Sequence, residues 1–256
     1  IYANDYETEN LDDVVHDPGI AIGAWDAAHG YQSAGWRFQP DPVSGANAEN
    51  EDSAGWSGGP IFPLDAYHLV SVSYLYRVSS ELVGEIALDG AFWAHDQKSI
   101  DFKYHDPDAP YGEGRRNGVH FGSEAGQVRF AHVDGGAGTR LYFGPDWATL
   151  ADEWVWICHV IDMRGATPGD RYIATYMKRE GDAGVTRLAI RYEGDDPPLQ
   201  TYDGRGVWGM FSPVHGYWDD MIDRDGLTGS LDEMHMSVDR LRIMPGWPDD
   251  ANGPPF

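Results

Sequence analysis

The sequence is poor in positive charge. Eighteen Lys and Arg stand against forty-two Asp and Glu, for a formal net charge of −24 over 256 residues, and only Lys98, Lys103 and Lys178 are lysines. A surface this acidic repels polyanions, and phosphate binding needs a basic face, so nucleic acid is excluded as a partner. We hypothesise an adaptation to saline surroundings, which predicts that added NaCl raises the melting temperature.

Cysteine and long apolar runs are scarce as well. Cys158 is the single cysteine, which excludes an internal disulfide, and its apolar neighbours between Trp154 and Ile161 predict a small buried side chain. No stretch approaches the roughly 20 apolar residues of a membrane-spanning helix, so no membrane partner is predicted. We interpret the opening Ile1-Tyr-Ala-Asn-Asp as a mature or trimmed N-terminus and expect a secreted, extracellular monomer.

Helical periodicity is poor throughout, whereas strand patterns are frequent. Val70 to Val78 alternates apolar and polar residues, and Trp154 to Met163 is apolar enough for a strand buried on both faces. Arg171 to Arg179 and Thr186 to Tyr192 predict a hairpin, because the glycines between them suit a tight turn. Many short strands without a repeat predict an all-β, two-sheet β-sandwich of the jelly-roll type.

One domain over residues 1–256 is the simplest organisation. It would carry long loops at about 26–59 and 105–116 and an irregular C-terminal tail from about 245. Loops of that length in a compact domain are usually functional or mobile.

Carboxylate signatures of a hydrolase are missing. The Glu-x-Asp-x-x-Glu pattern of jelly-roll β-glucanases does not occur. Asp232 and Glu233 are the obvious carboxylate pair, but neighbours on a strand point to opposite faces and cannot flank one bond. The histidines also lack zinc-ligand spacing. Hydrolysis is therefore the less favoured kind of catalysis.

A small basic cluster stands out against the acidic background. Its members are Lys98, Lys103, Arg115 and Arg116. Strand alternation places Lys103 and His120 on one sheet surface, opposite the apolar residues of their strands, and allows Arg77 to join them. The cluster either binds an anionic ligand or balances nearby acidic residues such as Asp101 and Asp106; both interpretations stay open.

Aromatic residues offer a second kind of binding signal. Trp25, Trp36, Trp56 and Trp93 occur in glycine-rich, loop-like contexts, where exposed rings stack on sugars. Trp154 and Trp156 are predicted to lie in the core. Trp93 is the tryptophan nearest the basic cluster, and we predict that it contacts ligand.

The ends of the chain resemble those of concanavalin A-like jelly rolls. Tyr2-Ala-Asn-Asp-Tyr-Glu7 is similar to their opening strand, and Leu231 to Ile243 is similar to the closing strand that pairs next to it. The resemblance implies a structural Ca²⁺ between these strands, with Glu7 and Asp232 as the ligand positions.

Three internal motifs resemble the jelly-roll polysaccharide lyases of the alginate and glucuronan type. They are Tyr76-Arg77-Val-Ser-Ser-Glu81-Leu82, Gly118-Val119-His120 and Tyr176-Met-Lys178, in the order of that family. Gly118 replaces the family's Gln, and the Tyr expected soon after Lys178 is missing. The resemblance implies His120 and Tyr176 as base and acid, with Arg77 on the substrate carboxylate.

The first hypothesis is therefore a polysaccharide lyase that cleaves a uronate-containing anionic glycan by β-elimination, with no organic cofactor. Its substrate would contact the residues Trp93, Lys98, Lys103, Arg115, Arg116 and Lys178. A non-catalytic carbohydrate-binding module or lectin-like domain is the second hypothesis, and a glycoside hydrolase is the third.

Overall fold

A computed structural model describes residues 2–4, 21–28, 30–32, 34–40, 61–63, 68–88, 100–105, 117–124, 126–134, 138–195, 208–212, 233–250 and 253–256. In these residues strands dominate, and no described helix is long and apolar enough to cross a membrane. The predicted all-β class is confirmed.

The elements are numbered in chain order. The first strands are β1 (Tyr2–Asn4), β2 (Ala21–Asp26), β3 (Gly35–Pro40), β4 (Ile61–Pro63) and β5 (Leu69–Val78), followed by helix α1 (Ser80–Leu88). Next come β6 (Ile100–His105), β7 (Asn117–Glu124), β8 (Gln127–Asp134), β9 (Gly138–Asp146) and β10 (Val155–Asp162). The last are β11 (Tyr172–Arg179), β12 (Thr186–Tyr192), β13 (Trp208–Ser212) and β14 (Met236–Pro245). Short 3-10 helices span Trp147–Thr149 and Pro168–Asp170.

The strands form two antiparallel sheets. Sheet A has the order β12-β11-β10-β5-β14-β3-β2, and β1 also pairs with β14. Sheet B has the order β4-β13-β6-β7-β8-β9. Tyr2 lies opposite Ile243, so the predicted pairing of the opening and closing strands is confirmed.

The sheets stack face to face as a sandwich. His132 of β8 reaches Thr175 of β11 at 3.5 Å, and the hydroxyl of Tyr142 in β9 donates to the carbonyl of Ile190 in β12. These contacts identify the face of sheet A that meets sheet B, which we call the inner face. Residues of opposite parity in the same strands form the outer face of sheet A, which points away from sheet B.

Strand β10 and the β11–β12 hairpin of sheet A confirm their sequence predictions. All eight residues of β10 are buried, as its continuous apolar pattern predicts. The β11–β12 hairpin also forms: Gly181 adopts a φ of +87°, which favours glycine, and the Asp182 carboxylate accepts a bond of 2.8 Å from the Arg179 N–H.

Helix α1 is the clearest departure from the sequence prediction. Ser79 stands just before it, and its hydroxyl accepts a bond of 3.3 Å from the Leu82 N–H. A serine N-cap followed by Glu81 in the first turn is a recognised start signal for a helix. The motif from Tyr76 to Leu82 is therefore a strand end and a helix start, since its last four residues lie beyond β5.

The long loop predicted over 26–59 is also wrong in part. β3 lies inside it and pairs with β2, which places Trp25 opposite Trp36 in a strand pair and not in loops. The predicted loop at 105–116 begins with the last residue of β6, and residues 106–116 lie outside the described part of the chain.

The C-terminal segment (residues 246–250 and 253–256) follows β14 and packs on the outer face of sheet A. The Phe256 ring makes an edge contact with the Tyr31 ring at 5.7 Å between centroids. The main-chain carbonyl of Phe256 accepts a hydrogen bond from the Lys178 ammonium. The predicted tail is thus irregular but attached to the sheet.

Candidate functional site

Strand register arranges the outer face of sheet A in rows of side chains. One row follows the pairings Arg187, Tyr176, Cys158, Ser73 and Arg242 across β12, β11, β10, β5 and β14. The next row contains Lys178, Trp156, Leu75 and Asp239. Because neighbouring strands lie about 4.8 Å apart, the first row extends over roughly 19 Å. The first row therefore ends in an arginine on each side, and the residues between the two arginines are uncharged.

A groove lies over the middle of the first row, and we call it the aromatic groove. Trp156, Cys158 and Tyr176 contribute to its lining from the sheet, and Val185 and Trp247 contribute from the hairpin and the C-terminal segment. Its volume of about 410 Å³ falls within the range of small-ligand sites. Trp247 is 44% exposed and meets the Tyr176 ring edge-on at 5.5 Å, so aromatic surface is available to a ligand such as a sugar ring.

Tyr176 is the titratable hydroxyl of the aromatic groove. Burial raises its pKa above the usual value of 10, and this effect exceeds the opposing one of the positively charged Arg187, whose side chain also hydrogen-bonds it. At neutral pH the hydroxyl therefore keeps its proton. Arg187 would stabilise the phenolate once the proton has left.

Cys158 forms the floor of the groove but is chemically quiet. Its side chain is 1% exposed, and burial raises the pKa of its thiol well above the usual value. Since the thiolate is the nucleophile, this thiol is inert at neutral pH.

A smaller cavity of about 90 Å³ adjoins the groove, and we call it the arginine cavity. Arg240 and Arg242 line it together with Leu75 and Trp156, and Trp156 also lines the aromatic groove. The arginine cavity and the aromatic groove therefore share one wall.

The inner face of sheet A carries a polar network of a different kind. The Tyr74 hydroxyl lies 2.8 Å from Nε2 of His159, and Thr175 Oγ1 lies 3.1 Å from its Nδ1. Burial lowers the pKa of His159 to about 3, so the imidazole is neutral. It is fully buried between the sheets, where a substrate cannot reach it.

The structure divides the catalytic residues predicted from the sequence. Lys103 and His120 do lie on adjacent strands of sheet B: Lys103 is opposite Gly118, and Asp101 is opposite His120. Arg77 lies in β5 of sheet A, so the expectation that it shares a sheet surface with Lys103 and His120 is wrong. Period-2 alternation assigns a residue to a face of its own strand but does not say which strands are neighbours.

Arg77 is also distant from the aromatic groove. It lies four residues along β5 from Ser73, the residue level with Tyr176, which is about 13 Å at the rise of a strand. Its guanidinium faces the carboxylate of Asp152 at 3.4 Å. Asp152 also accepts a bond of 3.3 Å from the Ser80 N–H, so its carboxylate joins Arg77 to the first residue of α1 and not to Tyr176.

Several predicted site residues lie outside the described residues. They are Glu7, Trp93, Lys98, Arg115, Arg116 and Asp232. The calcium site and the substrate contacts assigned to these positions stay predictions. Within the described part of the chain, no group of three or more His, Cys, Asp or Glu is arranged to hold a metal ion.

Sequence reasoning missed several residues of the site, among them Trp247, Arg240 and Arg242. Trp247 stands between Gly246 and Pro248, the same kind of context that singled out the other loop tryptophans, and this signal was sufficient to find it. The arginines have no comparable signal, because their place on the outer face depends on an irregularity in β14 described below.

No protein-family model matches the chain, and no curated protein matches its sequence. Among solved structures, it is similar to the marine PL-14 alginate lyase from Aplysia kurodai, with a TM-score of 0.52, 10% identity and 92% of each chain covered. A carbohydrate esterase from the Shiga toxin-encoding bacteriophage phi24B has a TM-score of 0.42 at 9% identity, covering 91% of this chain and 90% of that one. A GH43 glycoside hydrolase has a TM-score of 0.41 at 12% identity, covering 94% of this chain and 42% of that one. At such identities the likeness to the alginate lyase shows a common jelly-roll fold, and the two lower scores carry no argument.

Proposed function

We propose that the protein is a polysaccharide lyase that binds a uronate-containing glycan in the aromatic groove and cleaves it by β-elimination. The observation that carries the proposal is Tyr176, a protonated hydroxyl held beside Arg187 in a groove of aromatic side chains. The fold, which is similar to that of an alginate lyase, supports the choice of reaction.

The reaction sets clear requirements. The C5 proton of the uronate leaves to a base, its electron pair forms the C4=C5 double bond, and the C4–O glycosidic bond breaks. The departing oxygen takes a proton from an acid. A tyrosine suits this last role, because its hydroxyl stays protonated until the leaving oxygen becomes basic.

Tyr176 is assigned the role of acid. Its raised pKa keeps the proton in place before the reaction, and the hydrogen bond from Arg187 stabilises the phenolate that remains. The phenolate then regains a proton from solvent. His120, the base predicted from the sequence, belongs to sheet B, whereas Tyr176 faces away from that sheet. The two residues cannot act on one bond, so the assignment here covers the acid alone.

A second function, glycan binding without cleavage, is favoured by a different observation. Asp249 and Asp250 of the C-terminal segment line the aromatic groove, and carboxylates there disfavour an anionic chain. Aromatic stacking alone would be sufficient for a binding module.

The test measures absorbance near 235 nm on alginate, polygalacturonate and glucuronan, because elimination creates a conjugated double bond. We expect an increase with at least one polymer and a fall of at least about a hundredfold in Tyr176→Phe, because a general acid typically contributes about 10²- to 10⁴-fold to the rate. Tyr192→Phe is the matched control, since this ring lies on the same sheet face at the Tyr172 contact and outside the groove.

The outcomes separate the candidate functions. Glycan binding with no absorbance change on any polymer would favour the binding module. New reducing ends without that absorbance would favour hydrolysis. Full activity in Tyr176→Phe would remove Tyr176 from the mechanism.

We also propose that the protein is a secreted monomer with a structural Ca²⁺ at Glu7 and Asp232. Both carboxylates belong to the chain ends whose strands, β1 and β14, pair with each other. Ca²⁺ titration with a thermal readout tests the metal: an unchanged melting temperature after EDTA treatment would contradict it.

A further inference from the structure

The arginine cavity depends on a β-bulge in β14. Val238 and Asp239 pair with Tyr76 and Leu75, but the next pairing is Arg242 with Ser73, so β14 has one residue more than β5 at this point. Arg240 sits in the bulge with a φ of +49°, a left-handed conformation that is uncommon outside glycine.

The bulge decides which way two arginines point. Met236 and Val238 are buried on the inner side, where uninterrupted alternation would also direct Arg240 and Arg242. Because of the extra residue, Leu241 and Ile243 occupy the inward positions instead, and both are buried. Arg240 and Arg242 then line the outer-face cavity. Backbone strain held at a bulge is a recognised device for aiming side chains at a site.

Neighbouring groups hold Arg240 in place. Its guanidinium lies over the ring of Tyr31 at 5.1 Å, and its backbone N–H donates to the carboxylate of Asp239 at 2.6 Å. The same carboxylate accepts a bond of 2.7 Å from the Tyr31 N–H. Tyr31 and Asp239 therefore brace the bulge, and the arginine at its tip is preorganised.

The cavity suits a small anion next to an apolar wall. Two guanidinium groups offer planar sets of N–H donors of the kind that bind carboxylates bidentately. Leu75 and Trp156 form the apolar side. A volume of about 90 Å³ lies well below that of a ligand pocket, so it accommodates a substituent and not a whole ligand.

We infer that the arginine cavity is an anion subsite, which takes a carboxylate of a polysaccharide chain whose sugar rings lie in the aromatic groove. Trp156 lines both spaces, so a chain stacked in the groove places a substituent directly at the cavity. The inference rests on the proposed glycan binding and adds the residues that make the site prefer an acidic chain.

Replacing Asp250 should have the opposite effect on the binding of acidic chains from replacing the two arginines. Asp250 lines the arginine cavity as well as the groove, so its carboxylate competes with a bound anion for the same arginines. Because Asp250 is exposed, its competition is screened by water and is modest. Removing this carboxylate should strengthen the binding of acidic chains.

The test compares binding of uronate oligosaccharides with that of the same oligosaccharides after reduction of their carboxyl groups, by isothermal titration. The double variant R240N/R242Q removes both charges, and Asn tolerates the left-handed backbone at position 240. We expect at least tenfold weaker binding of the acidic chain, with the reduced chain bound as by wild type. D250N should bind the acidic chain two- to fivefold more tightly. Arg140→Gln is the control, since Arg140 pairs with Asp195 away from the cavity.

Each outcome decides between the hypotheses. The subsite would be overturned if wild type and R240N/R242Q bound the acidic chain equally well, or if the variant lost the same affinity for the acidic and the reduced chain. If the double variant fails to fold, single variants at positions 240 and 242 replace it. A sulfated dextran bound as tightly as the uronate chain, with the same loss in the variants, would assign the subsite to sulfate. If absorbance at 235 nm rises but R240N/R242Q binds as tightly as wild type, the lyase proposal stands and the subsite is wrong. If binding depends on the arginines but absorbance does not rise, the subsite stands and the lyase proposal is wrong. If wild type binds no chain at all, both are wrong.

Discussion

The two faces of strands β10 and β11 carry similar residues with different roles. On the inner face, His159 and Thr175 join Tyr74 in a network with no access to solvent. On the outer face, the residues next to them in sequence, Cys158 and Tyr176, line the aromatic groove. Adjacent residues of one strand thus belong to the core and to the candidate site.

The difference lies in what surrounds each polar group. A buried polar group must find a protein partner, and His159 finds one at each ring nitrogen. Tyr176 is only partly buried, with an arginine beside it and open volume in front of it. The inner tyrosine and histidine therefore serve stability, and the outer tyrosine is free to meet a ligand.

The largest effect is expected on the inner face. His159→Ala deletes a buried ring together with its hydrogen bonds to the Tyr74 and Thr175 hydroxyls, so the free energy of unfolding should fall by about 3 kcal/mol or more. The neighbouring Cys158→Ala removes one small side chain and should cost less than about 1.5 kcal/mol. Urea denaturation measures both. Equal losses would mean that the network is not what distinguishes the faces.

On the outer face, Trp247→Ala should affect binding more than folding. The ring is 44% exposed, so the free energy of unfolding should change by less than about 1 kcal/mol. Loss of an aromatic anchor typically costs more than about 1 kcal/mol of binding, which corresponds to at least roughly fivefold weaker affinity for oligosaccharides. Titration of Trp247→Phe should show a smaller loss, and unchanged affinity in the alanine variant would place the ligand elsewhere.

Lowering the pH should reduce the free energy of unfolding step by step through His159 of the inner network. The pKa of His159 falls from 6.5 to about 3 on folding, so below pH 6.5 the unfolded chain binds a proton that the folded chain excludes. The stability from this group is present above pH 6.5 and is lost as the pH falls towards 3, at roughly 1 kcal/mol per pH unit. Glutamine does not titrate, so His159→Gln should take up one proton fewer than wild type on unfolding between about pH 3 and 6.5. The same slope in this variant would assign the acid sensitivity to other groups.

Local patterns predicted the strands well because the spacing of apolar residues in a strand reflects which of its own faces are buried. The apolar run of β10 and the glycine-containing turn of the β11–β12 hairpin both lie where the sequence indicates. Alternation also assigned Lys103 and His120 to one face, and their strands, β6 and β7, are neighbours in sheet B. α1 was missed although Ser79 and Glu81 mark its start, because nine residues are too few to show a helical period clearly.

The assembly of the site was not predictable in the same way. Arg77, Lys103 and His120 were assigned to one surface because alternation places each of them opposite the apolar residues of its own strand, but alternation carries no information on which sheet a strand joins. Trp247 and Arg242 are far from Tyr176 in sequence and reach its surroundings through the C-terminal segment and the β14 pairing.

The sequence by itself determined an acidic, all-β protein with a strand buried on both faces, because charge and period-2 burial are local properties. The pairing of the opening and closing strands was expected from the resemblance to a known fold and not from local pattern. Only the tertiary structure decided that Tyr176 lies in an aromatic groove while His159 is enclosed between the sheets. It also decided that one extra residue in β14 turns two arginines outward. These outcomes depend on long-range strand pairing and on a single register shift, and a one-residue shift exchanges the two faces of a strand.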